Sequence, residues 1–215
     1  VFGLPGAPYG ARFTTVYEIK KLSVPYFAQV HALSCEASSL RMALGYYGIG
    51  TSDDEILGRI GYNPQPRNLE TNSWQDPNQM FVGNVDGVMS KTGWGVYAAP
   101  VARVARSFGR GAEVLYGPSS AQVAAAIYAG NPVVIWGVSA GAAPIDDSWN
   151  TETSGVVHAA KNQHVRIVYG VEGSADNPVG FYIHDPIRRA GSVYWTAGAL
   201  QYNMNGGGQQ ALIVR

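Results

Sequence analysis

The chain has 215 residues, and its 15 lysine and arginine residues balance its 15 aspartate and glutamate residues. A neutral chain lacks the basic surface that phosphate backbones require, which argues against nucleic acid as the main partner. Its uncharged apolar runs, such as residues 132–138, are far shorter than the roughly 20 residues that span a bilayer, so no transmembrane segment is expected. A single cysteine, Cys35, excludes an intramolecular disulfide.

The predicted organisation is a short arm followed by one domain. Residues 1–15 are rich in glycine and proline without a clear period, and we expect them to form an arm or linker. No repeat or composition shift divides the remainder, so residues 16–215 are predicted to form a single domain. This domain is expected to begin with a strand over residues 16–22.

Two helices are predicted in the first third of the chain. Ser34 is a typical N-cap residue, and the apolar spacing after it predicts a helix that ends near Tyr47, before Gly48. The sequence Ser-Asp-Asp-Glu over residues 52–55 is a capping box. It predicts a second helix over residues 53–60.

Residues 62–95 have no sustained hydrophobic period. A segment of this length inside a compact domain is typical of a functional loop or of an excursion over the surface. Trp74, Trp94 and Tyr97 lie in or beside it and are predicted to form an aromatic wall or lid of a substrate-binding cleft. The alternative for these rings is that they pack the irregular segment.

Predicted strands dominate the second half of the chain. Two helices are predicted over residues 99–108 and 119–130, and residues 139–160 are expected to form a loop. The strands are predicted at residues 112–116, 132–138, 164–171, 181–184, 193–195 and 211–214. Helices that precede most of the strands indicate an α+β fold with an antiparallel sheet.

The single cysteine is either an inert buried residue or a nucleophile. Free cysteine is among the most commonly buried residue types, which favours the inert alternative. However, Cys35 stands at a predicted helix start, where unpaired N–H groups and the helix dipole are expected to lower the pKa of the thiol. A thiolate nucleophile also needs a histidine base, so this interpretation depends on the four histidines of the chain.

His164 and Asp185 are the predicted base and its orienting group. Suppose that their strands form a hairpin whose turn is centred between Ser174 and Ala175. Paired residue numbers then have a constant sum of 349, and His164 lies opposite Asp185. Asp185 is then expected to accept the Nδ1 proton of His164 and to leave Nε2 for the thiol.

The other three histidines are weaker candidates for the base. Side chains alternate along a strand, so the same register turns His184 to the opposite face, although a slip of one residue would reverse this assignment. His31 and His158 are interpreted as ordinary polar residues, His158 in a surface loop.

Gln29 is a candidate oxyanion donor. It lies in the loop that enters the predicted nucleophile helix, where its side-chain amide could donate a hydrogen bond to the oxyanion of a tetrahedral intermediate. The backbone N–H of Cys35 would be the second donor. A loop glutamine is more commonly just solvated.

Several sequence blocks resemble the bacterial C39-like cysteine peptidases of the papain-like superfamily. These blocks are VPYFAQVHALSCEASSLRMALGYYG (24–48), SDDEILGRIG (52–61), DPNQMFVG (76–83), PVVIWG (132–137), HVRIVYGV (164–171) and YIHDP (182–186). The resemblance runs from about residue 24 to the end of the chain. The separation of Cys35 and His164 is also close to the roughly 130–150 residues of papain-like enzymes.

The resemblance implies a papain-like fold in which N-terminal helices carry the nucleophile and pack on a C-terminal antiparallel sheet. It implies that Cys35 is the nucleophile, His164 the base and acid, Asp185 its orienting group, and Gln29 part of the oxyanion hole. The implied reaction is hydrolysis of a peptide bond in a peptide or protein substrate through a thioester, with no metal or cofactor. Residues 159–163 depart from the Gly-rich approach that the family often has before its histidine, which bears on substrate preference.

Three alternatives remain open beside the peptidase. The same thiol chemistry could act on a cell-wall peptide amide or transfer an acyl group to an amine. A papain-like shell could instead bind peptides without catalysis. A metal site could form from His31, Cys35, His164 and Asp185, although no compact ligand motif is present. The low charge content favours a secreted or cell-surface protein with any signal peptide upstream of Val1, and the oligomeric state is left open.

Overall fold

The computed structural model describes residues 17–187 and 191–215. The helices in these residues are α1 Cys35–Tyr46, α2 Asp53–Ile60, α3 Ala98–Ser107, α4 Ser120–Tyr128 and α5 Ala197–Gly206. The strands are β1 Ile19–Lys21, β2 Tyr62–Asn63, β3 Phe81–Gly83, β4 Gly93–Gly95, β5 Ala112–Tyr116, β6 Val133–Val138, β7 Asp146–Thr151, β8 Gly155–Ala160, β9 Gln163–Gly173, β10 Pro178–Asp185, β11 Gly191–Thr196 and β12 Gln210–Val214. The predicted arm, residues 1–15, lies outside the described residues, and the domain boundary at residue 16 stays a prediction.

The main sheet has the strand order β11-β10-β9-β6-β12-β5. β1 pairs with the far end of β9, beyond the part that pairs with β6. All described neighbours in this sheet are antiparallel. The long strand β9 therefore has three partner strands, and most of its residues are buried. The predicted α+β class with an antiparallel sheet is confirmed.

A shared hydrophobic core joins the helices to this sheet. α1 contacts β9 and β6, α3 contacts β5 and β12, and α2 packs on both α1 and α3. The largest fully buried side chains include Trp94, Trp136 and Trp149. Burial of such large apolar surfaces dominates the stabilisation of the fold, and it fixes the N-terminal end of α1 against β9.

The first two helices begin and end close to their predicted positions. Ser34 is the N-cap of α1, but its hydroxyl makes no capping hydrogen bond. Gly48 follows the C-terminus with a φ of +75°, a conformation that glycine adopts without strain. The predicted bounds of α2 are confirmed, and the hydroxyl of its N-cap, Ser52, accepts from the Glu55 N–H. None of the described helices is both long and apolar enough to cross a bilayer.

The structure differs from the sequence-based expectation in three segments. Residues 139–160, expected to be a loop, contain the β7–β8 hairpin, whose strand β7 is mostly polar and has only Trp149 fully buried. The helix α5 was not predicted, because its sequence AGALQYNMNG is rich in weak helix formers. It is held by the Thr196 cap and by burial of Leu200 and Met204. The irregular segment 62–95 contains a small sheet of β2, β3 and β4.

Candidate active site

Asp185, at the end of β10, lies between two basic side chains of β9. Its Oδ1 is 2.7 Å from His164 Nε2, and its Oδ2 accepts from Arg166 Nε at 2.6 Å. All three residues are buried. The predicted contact between His164 and Asp185 is therefore confirmed, and Arg166 joins them as a third member that the sequence analysis missed. Its position two residues after His164 on one strand is the signal that could have found it, because alternate side chains share a face.

The predicted register of this hairpin is wrong by two residues near the site. His184 pairs with Ile167, and continuing this register places Asp185 across from Arg166 and diagonal to His164. Pro178 already pairs with Gly173 in this register, so the turn is centred one residue later than predicted. The two irregularities of the hairpin, one between Pro178 and Gly180 and one between Tyr182 and Ile183, offset each other. Because the shift is an even number of residues, Asp185 keeps the face that the prediction gave it.

The ring nitrogen that contacts Asp185 also differs from the prediction. His164 uses Nε2, not Nδ1, for the carboxylate. A carboxylate only accepts hydrogen bonds, so Nε2 holds the proton in the neutral ring and Nδ1 is left as the acceptor. The nitrogen available to a thiol is therefore Nδ1.

The buried charges set the ionisation of this cluster. Burial raises the pKa of Asp185, but the His164 hydrogen bond and the charges of His164 and Arg166 outweigh it and hold that pKa at about 2. Burial lowers the pKa of His164, and the charge of Arg166 lowers it further, against the opposing effect of Asp185. At neutral pH the site therefore contains ionised Asp185 and a neutral imidazole that can accept a proton at Nδ1.

Cys35 is the first residue of α1, and only 4% of it is exposed. Its thiol donates to Glu36 Oε2 at 3.3 Å. The expected lowering of the thiol pKa is wrong, because burial and the neighbouring Glu36 carboxylate raise this pKa well above its usual value. A hydrogen bond from the Val165 N–H and the charge of Arg166 oppose that rise without overcoming it. Among the described side chains, no hydrogen bond joins the Cys35 sulfur to His164, so the thiol is held away from an ion pair.

Gln29 is tied into the loop that precedes α1. Its backbone N–H donates to the Pro186 carbonyl at 2.8 Å, which holds this loop beside the end of β10. Its side-chain Nε2 donates to the carbonyls of His31 and Ala32. In this arrangement the amide hydrogens brace the loop, and the role of Gln29 as an oxyanion donor stays a prediction.

Asp53, at the start of α2, is a second residue of the site region that the sequence analysis missed. Its side chain is fully buried and accepts from the Val30 N–H and from the Ser34 hydroxyl. It also accepts from Ser38, one turn into α1. These hydrogen bonds explain why Ser34 does not cap its own helix, since its hydroxyl is used to fix the loop before α1 to α2.

His31 lies outside the cluster of Cys35, His164 and Asp185. Its Nε2 contacts Asp54 at 2.7 Å and its Nδ1 contacts Asp86 at 3.0 Å, so both ring nitrogens are already engaged. This arrangement does not support the four-residue metal site considered from the sequence. Within residues 17–187 and 191–215, no group of three or more His, Cys, Asp or Glu residues is arranged to hold a metal ion.

The clamp of His31 between two carboxylates predicts a small pH effect on stability. Its hydrogen bond to Asp54 raises the pKa of His31, burial opposes this, and Asp86 adds to the rise. The contribution of charged His31 to the free energy of unfolding is therefore complete below its unfolded pKa of about 6.5. This contribution is lost as pH rises through the higher folded pKa. Because both carboxylates are largely exposed, we expect a loss of about 0.5 kcal/mol. Urea unfolding at about pH 6 and about pH 8 should show this loss in the wild type and not in His31→Gln; equal pH dependence in both proteins would contradict it.

His184 lies on the other face of the hairpin, as the alternation predicts. Its Nε2 contacts the Val24 carbonyl, its Nδ1 contacts the Ser192 hydroxyl, and its ring stacks on Tyr169 at 4.0 Å. His158 is an exposed residue of β8. Neither histidine contacts Cys35 in the described structure, which leaves His164 as the base candidate.

The aromatic residues predicted to line the cleft form a buried cluster. Trp74 packs on Trp149, which packs on Trp94, and Trp94 packs on Tyr97, with ring centroids 5.1 to 5.6 Å apart. All four rings are buried. Trp74 also lines a cavity of about 550 Å³ whose lining does not include Cys35. The geometry favours packing for these rings, and their contact with substrate stays a prediction.

Comparisons with known proteins define the class of this molecule. The profile of the Peptidase_C39 like family matches residues 21–209, which is most of the chain. Together with the α+β fold, this match makes the molecule a member of a cysteine-peptidase class. The chain belongs to the Peptidase_C39 like family. No match was found among curated proteins.

Solved structures with the same fold agree with this assignment. A protein from Bacillus anthracis described as a C39-like peptidase is 27% identical, with a TM-score of 0.77 and coverage of 92% of this chain and 98% of that one. A double glycine motif protease from an AMS/PCAT transporter, solved with its leader peptide, is 18% identical, with a TM-score of 0.51 and coverage of 91% and 93%. The peptidase domain of Streptococcus ComA is 12% identical, with a TM-score of 0.51 and coverage of 87% and 95%. The last two share the fold alone.

Proposed function

We propose that this protein is a cysteine peptidase that hydrolyses a peptide bond through a thioester at Cys35. The main support is the buried pairing of His164 with Asp185, which leaves Nδ1 of the imidazole as a proton acceptor. Val165, the neighbour of His164, donates its backbone N–H to the Cys35 sulfur, so the base and the thiol are on adjoining elements. The family assignment agrees with this chemistry.

Formation of the thioester requires the thiol to exchange its hydrogen-bond partner. The Cys35 sulfur turns from Glu36 to His164, and Nδ1 accepts the thiol proton. The thiolate attacks the carbonyl carbon, and the imidazolium then gives its proton to the leaving amine. Asp185 stays ionised and stabilises the imidazolium, because its pKa of about 2 is far below that of the ring.

The second half of the reaction uses the same groups in reverse. His164 Nδ1 accepts a proton from water, the hydroxide attacks the thioester, and the Cys35 thiol is released when it regains the proton. The oxyanion of each tetrahedral intermediate needs two donors. The Cys35 backbone N–H is one donor. Gln29 becomes the second donor if its side-chain amide leaves the carbonyls of His31 and Ala32 and donates to the oxyanion.

The proposed substrate class is a peptide or an exposed segment of a protein. A related protease of the same fold has been solved with a leader peptide, which agrees with an extended peptide as ligand. That protein is only 18% identical to this chain, so its double glycine motif is not part of the proposal.

A peptide-digestion experiment tests the proposed function. The purified protein is incubated with a mixture of unrelated peptides, and we expect new fragments with free carboxyl termini in the mass spectrum. Because Cys35 is the single cysteine, prior alkylation with iodoacetamide modifies this thiol alone and should abolish the cleavage. An added amine that appears on the fragments would identify acyl transfer in place of hydrolysis.

Two results would overturn the proposal. One is cleavage that continues after Cys35 is fully alkylated, since the reaction would then have another origin. The other is specific peptide binding with no fragment and no acyl-enzyme at any pH, which would favour the non-catalytic peptide-binding module.

A further inference from the structure

Glu36 is a buried carboxyl group in direct contact with the nucleophile. It follows Cys35 in α1, and only 1% of it is exposed. Its Oε2 accepts a hydrogen bond from the Cys35 thiol at 3.3 Å. The mechanism proposed above gives this carboxyl no role, although it is the group that the thiol contacts in this structure.

The other carboxylate oxygen of Glu36 lies in a shaped backbone site. Oε1 accepts from the Val96 N–H at 3.0 Å and from Gln163 Nε2 at 3.5 Å. Gly95 makes this approach possible, because a Cβ on that residue would lie 2.4 Å from Oε1. Its φ of +142° also disfavours any other residue there. The Glu36 carboxyl is therefore held in place by hydrogen bonds from Val96 and Gln163, and its contact with the Cys35 sulfur is fixed.

Few charged groups compete for this carboxyl. Within residues 17–187 and 191–215, no Lys, Arg or His side chain forms an ion pair with Glu36. The charge of Arg166 acts on the Cys35 sulfur but is neutralised mainly by Asp185, which also holds His164. Burial raises the pKa of Glu36 to about 7, against the hydrogen bonds from Val96, its own N–H, Cys35 and Gln163.

We propose that Cys35 and Glu36 share one proton, and that ionised Glu36 keeps the thiol protonated in the resting enzyme. The proposal rests on Cys35 as the nucleophile of the proposed function. In one form the proton is on the sulfur and Glu36 is ionised. In the other form the S–H bond is broken, an O–H bond is formed at Oε2, and a thiolate faces a neutral carboxyl. The total charge of the pair is the same in both forms, and a second ionisation is opposed by repulsion of two adjacent negative charges.

Alkylation of the single thiol measures this coupling without any peptide substrate. The rate of reaction with iodoacetamide is recorded from about pH 5 to about pH 10 for the wild type and for Glu36→Gln. Glutamine keeps the shape and the hydrogen bond from Val96 but has no charge. We expect the wild-type rate to rise in two steps with a plateau above about pH 7, and the variant rate to rise in one step. The two curves should coincide well below pH 7 and differ by about tenfold or more near pH 8, with the variant faster.

A matched control and a second measurement complete the test. Glu55→Gln removes an exposed carboxylate of α2 and should reproduce the wild-type curve. If Glu36→Gln does not fold, the wild-type curve alone decides, because a single-step rise excludes a coupled pair. Ultraviolet absorbance of the thiolate, with Cys35→Ser as the blank, reports the same titration without a reagent that must reach a buried sulfur.

The inference is overturned if the wild type titrates in one step that Glu36→Gln leaves unchanged. That result does not depend on turnover, so it can be distinguished from a failure of the peptidase proposal. A two-step titration in a protein that cleaves no peptide would support the shared proton and refute the peptidase. A one-step titration in a protein that does cleave peptides would refute the shared proton and support the peptidase.

Discussion

Replacing Cys35 with alanine is expected to lower peptide hydrolysis by roughly 10⁴- to 10⁶-fold, as loss of a covalent nucleophile does in other hydrolases. His164, Asp185 and the oxyanion donors remain in the variant, but no group is left to form the thioester. Alanine is a conservative replacement at this buried helix position, and we expect the free energy of unfolding to change by about 1 kcal/mol or less. Steady-state assays with chromatographic detection of fragments, together with thermal unfolding, check both expectations.

Ser39→Ala is the matched control for this variant. Ser39 lies one turn further along α1, is fully buried, and has a hydroxyl oxygen without a hydrogen-bond partner in the described structure. Its replacement also removes one atom from the same helix, but we expect it to leave hydrolysis unchanged, since the Ser39 hydroxyl makes no hydrogen bond to Cys35, His164 or Asp185 in the described structure. Comparable losses of activity in both variants would attribute the effect to packing of α1, and Cys35 would no longer be supported as the nucleophile.

The second large effect is expected on stability, at the buried pair of Arg166 and Asp185. Replacing Asp185 with leucine leaves the Arg166 guanidinium buried with 1% side-chain exposure and without a carboxylate partner. Removing one member of a buried ion pair costs about 3–5 kcal/mol, so we expect the free energy of unfolding to fall by that amount in Asp185→Leu and in Arg166→Met. Denaturant unfolding with a common slope for all variants measures these differences.

The double variant separates the loss of pairing from the loss of packing. Arg166→Met/Asp185→Leu removes both charges, and we expect it to recover most of the stability that each single variant loses. It should not recover peptide hydrolysis, because His164 still lacks the carboxylate that orients Nδ1. Additive losses in the double variant would show that the two residues stabilise the fold independently. That result would contradict a stabilising ion pair between Arg166 Nε and Asp185 Oδ2, which lie 2.6 Å apart.

The contact between His164 and Asp185 could be predicted because it depends on a simple alternation. Two strands joined by a short turn must bring alternate residues to one face, and that argument tolerates an even error in the register. The turn is centred one residue later than expected, and its segment GSADNP contains several residues that suit a turn without fixing its centre. For that reason the face of Asp185 was predicted correctly and its direct partner was not. The nitrogen of His164 that meets Asp185 depends on the orientation of the ring, which strand alternation does not determine.

The ionisation of the thiol could not be predicted from its position on a helix. The helix dipole acts through the first turn of α1 alone, whereas the pKa of Cys35 depends on how deeply the sulfur is buried and on which oxygen it contacts. Both depend on the tertiary contacts of Glu36 with Val96 and Gln163, which are far apart in the sequence. Similarly, α5 follows from burial of Leu200 and Met204 and not from local propensity.

The position of β9 in the sheet divides the reacting groups into a fixed part and an adjustable part. His164 pairs through its backbone with Gly137 of β6, and its ring is anchored to Asp185, so the strand network fixes the position of the imidazole. The sulfur of Cys35 has one side-chain torsion, and in the proposed mechanism a change in this torsion takes the sulfur from Glu36 to the imidazole. On this proposal, activation of the thiol is a rotation about a single bond beside a base whose position is fixed, and the strength of the contact with Glu36 determines how often that rotation occurs.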